Sequence, residues 1–433
     1  MVGPPRVIAT TMTPSPDRAI ELIALTLFVV ALCHTFAARQ LTRLSHRFPR
    51  HAGVFHLLGE VEVVFGFWAM VLVVSMAIVG GAERALGYAE SRNFTEPLFV
   101  FVVMVIAASW PVLRTVMAAV DVVARFVPMP TPVARAWLGL AAIPLLGSLI
   151  TEPAAITIAA LTLAPVVFRA ELPEPPKYFA LGVLFVNVSI GGTLTAYAAP
   201  PVLMVASTWQ WDSATMITLF GGKAALAVLV NGTVAALVLR KHLRSPVAAR
   251  IHPEGPPVPT LVALVHFAML AAVVFIAHHP VAFLAVFLMF LGFTQAYERY
   301  QKPLILREAL LVGFFLAGLV VLGGLQAWWL RPIVESLEPL ELFFGALGLT
   351  AVTDNAALTY LGSLIAGIGD EAKYMLVAGA VAGGGLTVIA NAPNPAGVAL
   401  LRRGFADESI GAGALLLGAL LPTAVAAAAF LLL

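Results

Sequence analysis

The chain has 433 residues, of which 61% are hydrophobic and only 11% are charged, with a net charge of +2. Soluble domains carry about 25% charged residues, so this composition excludes a soluble protein and predicts an all-α polytopic membrane protein. A single cysteine, Cys33, excludes a disulfide within the chain and a cysteine metal cluster. No nucleic-acid partner is expected, and the lipid bilayer is the expected surrounding.

Apolar runs of helical length predict about ten transmembrane helices, because a helix needs about 20 residues to cross a bilayer. Before the first run, residues 1–18 are expected to form a polar N-terminal tail and not a cleaved signal. Two further apolar stretches, 137–168 and 340–367, carry an acidic residue and helix breakers near their centres and are predicted to be re-entrant hairpins. The ten runs cover residues 19–38, 58–80, 97–120, 178–207, 216–239, 260–277, 280–295, 309–329, 373–400 and 410–433.

The distribution of lysine and arginine predicts the orientation, because cytoplasmic loops carry an excess of both residues. The arginine-rich loop after the first run is expected in the cytoplasm. Basic residues flank the hairpin near 137–168 and acidic residues flank the hairpin near 340–367, so the two are expected to enter from opposite faces. Residues 240–259 are basic and form a cytoplasmic linker. Both termini are then expected outside a bacterial inner membrane.

Two pairs of short motifs recur in the same order on either side of the linker. Their predicted topologies are opposite, which is typical of the inverted repeats of secondary transporters. The sequence therefore predicts a first membrane repeat at 19–239 and a second at 260–433. The matched strings are TEPAAIT at 151–157 with TDNAALT at 353–359, and GGTLT at 191–195 with GGGLT at 383–387.

The acidic residues of the hairpin motifs, Glu152 and Asp354, lie near membrane depth, where a carboxylate costs several kcal/mol to bury. One interpretation is a structural acid with a hydrogen-bond partner. The other is a cation or proton site, since hard cations such as Na+ prefer oxygen ligands. The candidate ion- and proton-binding residues are Thr151, Glu152, Asn187, Thr195, Thr353, Asp354, Asn355, Thr387, Asn391 and Asn394. The second repeat holds more of them, which predicts the tighter ion site there.

Glycines and prolines after each hairpin predict discontinuous helices, which expose backbone carbonyls to a cation. The alternative, that the glycines only allow close helix packing, does not explain why prolines and asparagines cluster at the same places. The predicted hinge residues are Gly191, Gly192, Pro201, Gly383, Gly384 and Pro393. For Glu60 and Glu62 the sequence allows two roles, a proton relay or a structural role.

At these motifs the chain resembles the ion transporter superfamily, and within it the NhaD-like Na+/H+ antiporter family. The resemblance implies a homodimer and a mobile transport part that moves as an elevator beside a scaffold. It also implies Na+ and H+ as the transported or coupling ions, with no cofactor and no metal beyond the transported cation. The chain departs from the family pattern at Pro153, where an asparagine would complete the usual hairpin ligands.

The function predicted best is Na+/H+ antiport, with the two ions competing for Glu152 and Asp354. The alternative is a Na+-coupled symporter or permease for a small carboxylate or oxyanion, held by exposed helix ends. An enzyme is not expected. Gly367-Ile-Gly-Asp370 matches the GxGD string of intramembrane aspartyl proteases, but Asp354 lies only 16 residues away and belongs to the repeat motif. No phosphate loop, nucleophile elbow or zinc motif is present.

Overall fold

The computed structural model describes residues 16–243 and 255–433, and within those ranges the regular structure is helical, without a strand. Most of the predicted N-terminal tail, at 1–18, lies outside the described residues. So does the centre of the predicted linker at 240–259. The chain divides into two compact units, and the first comprises the chain up to Asn93 together with Gly318–Gln326.

The first unit is built on two long apolar helices, α1 and α3, that pack against each other. A Cβ at Gly318 would lie 2.3 Å from the backbone nitrogen of Gly66, so the later segment crosses α3 at backbone contact. The helices are α1 (Pro16–Arg47), α2 (Ala52–Leu58), α3 (Val61–Gly80) and α4 (Ala82–Glu90).

The second unit begins at Phe94 and contains both pairs of matched motifs. Its helices before the linker are α5 (Thr95–Ala107), α6 (Trp110–Phe126), α7 (Thr131–Trp137), α8 (Ile143–Ile150), α9 (Glu152–Leu163), α10 (Glu174–Gly191), α11 (Pro200–Trp209), α12 (Ser213–Met216) and α13 (Gly222–Leu239). Single π-helical turns, Leu138–Ala142 and Ile217–Gly221, join α7 to α8 and α12 to α13.

After the linker the second unit continues with two apolar helices and then the second motif pair. The helices are α14 (Thr260–Phe275), α15 (Pro280–Ala296), α16 (Leu306–Gly323), α17 (Ala327–Glu335), α18 (Pro339–Thr350), α19 (Asn355–Ser363), α20 (Asp370–Gly383), α21 (Asn394–Leu401) and α22 (Ala412–Leu432). The last residues of α16, from Gly318, belong to the first unit.

The outer faces of these helices are apolar, while polar side chains lie inside. Val281 is 83% exposed and Met289 is 69% exposed, whereas Glu152 and Asn391 are fully buried. Helices satisfy their own backbone hydrogen bonds and can therefore present apolar faces to lipid. This distribution confirms a multi-pass membrane protein.

The number of spans differs from the ten predicted. By length and composition, seven of the described helices could cross a membrane, or eight if one bent pair counts as a single span. That pair is α5 and α6, where the run predicted at 97–120 as one span bends by 62°. Helices α14 and α15 are apolar but have 16 and 17 residues, fewer than the about 20 that cross a bilayer without help.

The stretch predicted near 137–168 folds as two antiparallel helical arms. A Cβ at Gly147 would meet Ala155, and one at Gly139 would meet Leu163, so the arms pack side by side along their length. The first arm starts earlier than predicted, because α7, its π turn and α8 form one apolar segment of 20 residues, Thr131–Ile150.

Helices α10 and α20 run antiparallel and cross at the glycine motifs. Ser189 donates its hydroxyl to the carbonyl of Val381, and a Cβ at Gly384 would lie only 2.2 Å from Ser189 Oγ. A Cβ at Gly385 would meet the backbone of Val186. Glycine allows the two backbones to approach this closely. The crossing brings the two broken segments of the chain together.

Candidate functional site

Glu152 is the first residue of α9 and is fully buried. The preceding residue, Thr151, has φ +94° and ψ 152°, a combination that only glycine adopts readily. This conformation turns the chain sharply between the two arms of the hairpin. The backbone N–H of Glu152 donates to the carbonyl of Ala198, in the break between α10 and α11, at 3.3 Å.

The Glu152 carboxylate contacts both halves of the chain. Asn391 Nδ2 donates to Glu152 Oε2 at 2.9 Å. On the other side lies Gly192, where an added Cβ would be 2.6 Å from Glu152 Oε1. Glycine is therefore required at position 192 for the carboxylate to occupy this place.

No lysine or arginine in the described part of the chain forms an ion pair with Glu152. The acidic group that interacts with it electrostatically is Asp354. The carboxylates of Glu152 and Asp354 repel each other when both are ionised. A bound cation or proton relieves that repulsion. The carboxylate is thus placed where a small positive ion would be favourable.

Asp354 occupies a different position from Glu152, although the motifs align. It is the N-cap of α19, and its Oδ1 accepts from the backbone N–H groups of Ala356 at 2.8 Å and Ala357 at 3.2 Å. A capping carboxylate satisfies the open amides of the first turn. One oxygen of Asp354 therefore holds the start of α19 in place.

Two buried asparagines lie beside the α10–α20 crossing. Asn394 donates to the carbonyls of Gly384 at 2.8 Å and Thr387 at 3.0 Å. Asn355 donates to Ser189 Oγ at 3.4 Å. The two bonds of Asn394 fix the unwound backbone after Gly383. Both asparagines use their side-chain N–H groups in these bonds, which leaves the side-chain carbonyls as acceptors.

Several buried oxygens in this region have no hydrogen-bond partner among the residues that the structure describes. Glu152 Oε1 and Asn391 Oδ1 belong to the two side chains that touch each other. Carboxylate, amide and hydroxyl oxygens are the donor set that hard cations prefer. The group includes Thr151 Oγ1, Glu152 Oε1, Thr350 Oγ1, Asn355 Oδ1, Asn391 Oδ1 and Asn394 Oδ1.

The equivalent threonines of the glycine motifs make equivalent contacts. Thr195 donates to the carbonyl of Ser148 at 2.7 Å, and Thr387 donates to the carbonyl of Ala351 at 2.8 Å. Each hydroxyl thus ties the segment after a broken helix to the end of an earlier helix, α8 for Thr195 and α18 for Thr387. Ser148, which no sequence motif singles out, donates its hydroxyl to the Gly191 carbonyl and accepts from the Leu194 amide.

Two predicted ligands have their side-chain hydrogen bonds elsewhere. Asn187 donates to the carbonyls of Leu140 and Val228 and accepts from Asn231, so its polar atoms hold packed helices together. The Thr353 hydroxyl donates to the carbonyl of Leu349 in the preceding turn.

Asp370, the acid of the GxGD string, is the first residue of α20. Its side chain is 95% exposed and forms an ion pair with Lys373.

The predicted hinge residues lie at the helix breaks. Helix α10 ends at Gly191 and the chain resumes as α11 at Pro200, with Pro201 in its first turn. In the second half, α20 ends at Gly383 and α21 begins after its N-cap, Pro393.

A comparison with protein families matches residues 19–433 to the family described as "Putative Na+/H+ antiporter". The match covers both hairpin motifs, both glycine motifs and nearly all of the chain. A search of the curated proteins finds no match.

Proposed function

We propose that this chain, which belongs to the Na+/H+ antiporter family, exchanges Na+ for H+ by letting the two ions compete for the carboxylate of Glu152. The observation that carries the proposal is a fully buried carboxylate that meets an amide and a glycine instead of a basic side chain. A carboxylate that holds the cation when ionised and releases it when protonated is sufficient for exchange.

The ligands proposed around Glu152 are Thr151 Oγ1 and Asn391 Oδ1, since both belong to residues bonded to or touching Glu152 and both are buried without partners in the described structure. Asn355 and Asn394 supply further oxygens at the crossing. Asp354 contributes its charge from the N-cap of α19. The proposed ligands therefore come from both halves of the chain. They form one shared site in place of the tighter site that the sequence predicts in the second repeat.

Inverted repeats and re-entrant hairpins are part of the proposal. Support comes from the antiparallel crossing of α10 and α20 and from the matching bonds of Thr195 and Thr387. Discontinuous helices of this kind bind ions near the middle of the membrane in secondary transporters.

An elevator-type movement is proposed by resemblance to the family, together with a homodimer in a bacterial inner membrane. All the proposed ligands lie in the second unit and none in the first. A unit that carries the complete site is what an elevator needs, because the site then moves without being taken apart.

The test is exchange by purified protein in liposomes that contain a pH-sensitive dye, with Na+, Li+, K+ and small anions supplied in turn. Na+-driven proton release is expected from the wild type and none above protein-free vesicles from Glu152→Gln. Glu171→Gln removes an exposed acid between α9 and α10 and is expected to exchange normally. Full exchange by Glu152→Gln would refute the assignment, and anion-dependent Na+ uptake would favour the symporter.

A further inference from the structure

A cavity of about 720 Å³ lies in the second unit, on the side of the broken segment after α10. Its walls come from the start of α5, the non-helical segment at 195–197, the end of α11, the start of α12 and the end of α14. In the orientation that the basic loops predict, all these helix ends lie on the external side of the membrane. A cavity of this size is large enough for several water molecules.

The cavity carries acidic groups. Glu96 lines it and is only 8% exposed, and Ser207 donates its hydroxyl to Glu96 Oε1 at 2.8 Å. Asp212 lines it at the exposed start of α12, where hydrogen bonds from the Thr215 amide and hydroxyl hold the pKa of its carboxyl below the ordinary value. His278 also lines the cavity, and among the described lining residues none is lysine or arginine. A cleft lined by one sign of charge concentrates ions of the opposite sign.

The inner wall of the cavity adjoins Glu152. Thr195 and Tyr197 line it, and the next residue, Ala198, accepts the backbone N–H of Glu152. Tyr197 also stacks edge-on against Phe99, another lining residue. The non-helical segment after α10 therefore lines the cavity at Thr195 and Tyr197 and bonds the backbone of Glu152 at Ala198.

We propose that this cavity is the entry vestibule for the transported cation and that Glu96 is the carboxylate that binds the cation there before it reaches Glu152. The proposal rests on the proposed exchange function but adds a second cation-binding position to it. Glu96 concentrates the cation beside the unwound segment, while Glu152 carries out the exchange with protons.

A structural role for Glu96 predicts different results. Glu96 lies in the first turn of α5, where an acidic residue also stabilises the helix end. Glu96→Gln keeps an acceptor for Ser207 and removes the charge, and Glu96→Asp keeps the charge. If Glu96 were only structural, both substitutions would lower the stability of the protein and leave the dependence of exchange on Na+ concentration unchanged.

Water access is measured without any transport. In a Cys33→Ser background, Ala196→Cys places a thiol on the cavity wall, and Ala180→Cys places one in the fully buried part of α10. A membrane-impermeant thiol reagent is expected to label position 196 from the external side and to leave position 180 unlabelled. Absence of label at 196 from that side would overturn the vestibule whether or not the protein exchanges Na+.

Cation binding is measured in liposomes from the dependence of exchange on Na+ concentration. Glu96→Gln is expected to raise the half-saturating concentration about tenfold with the maximal rate within about twofold of wild type, by loss of local cation concentration. Glu96→Asp keeps the charge and is expected to have a half-saturating Na+ concentration close to that of the wild type. Glu371→Gln, an exposed acid on the same predicted face, is the matched control.

The outcomes separate the two proposals. An unchanged half-saturating concentration in Glu96→Gln, with the wild type active, would overturn the role of Glu96 while leaving Na+/H+ exchange intact. If the wild type exchanges no cation, the proposed function fails, and labelling at position 196 still decides whether the cavity is open to water. Binding of radioactive Na+ that is weakened by Glu96→Gln in detergent would support the role of Glu96 independently.

Discussion

Asn391 donates its side-chain N–H to the carboxylate of Glu152 at 2.9 Å, across 239 positions of sequence. Hydrogen bonds to charged groups contribute about 1.5–3 kcal/mol, which corresponds to a change in affinity of at least about tenfold. Asn391→Ala is therefore expected to raise the half-saturating Na+ concentration about tenfold in the liposome assay. Asn231→Ala removes a buried asparagine bonded to Asn187 and the Pro422 carbonyl, and is expected to lower stability without this change.

Asp354 combines a charge with a helix cap, and two substitutions separate them. Asparagine caps helices about as well as aspartate, whereas alanine loses about 1 kcal/mol. Asp354→Asn is expected to keep the thermal stability of the wild type and to abolish exchange. Asp354→Ala is expected to lose both. Normal Na+-dependent proton movement by Asp354→Asn would show that capping is the whole role of Asp354.

Gly192 leaves the space that the Glu152 carboxylate occupies. In Gly192→Ala the new Cβ would lie 2.6 Å from Glu152 Oε1, so the carboxylate must move and Na+ exchange is expected to fall sharply. Gly222→Ala is the matched control, because nothing lies within 4 Å of its Cβ and alanine favours a helix by up to about 1 kcal/mol. Equal exchange by the two variants would contradict the placement of Glu152 against Gly192.

Thr151 holds a backbone conformation that suits glycine, and such positions cost about 1–3 kcal/mol. Thr151→Gly is expected to unfold at a higher temperature than the wild type because that strain is removed. It is also expected to bind Na+ more weakly, since the hydroxyl is lost. Thr151→Ser keeps the hydroxyl and is expected to bind Na+ as the wild type does. Thermal unfolding in detergent and binding of radioactive Na+ measure the two effects.

The membrane class, the antiporter family and the helix breaks could be predicted from the sequence, because composition and glycine–proline clusters act locally. The bend between α5 and α6 was missed, although Pro111 in the first turn of α6 is a signal for a new helix start. The 20-residue first arm of the first hairpin was also missed, because its polar start at Thr131 hides the continuity of α7 with α8.

The contacts of the candidate site could be predicted only in part. Glu152 stood out because a carboxylate in an apolar run is costly. Asn187 looked equally suitable, but its neighbours are the Leu140 carbonyl and Asn231 from other helices, and no local pattern specifies those contacts. Ser148 gave no signal, since its importance depends on the unwound segment that folds against it.

The glycine crossing of α10 and α20 also limits how the protein can move. Gly384 lies against Ser189, and Gly385 lies against the backbone of Val186. The two segments are in direct contact there, without a gap between them. Under the proposed function, we expect the two broken helices to move together as one block, because their backbones are in contact. Access to the proposed ion site from either side of the membrane would then come from shifting or uncovering that block, and not from separating the two helices.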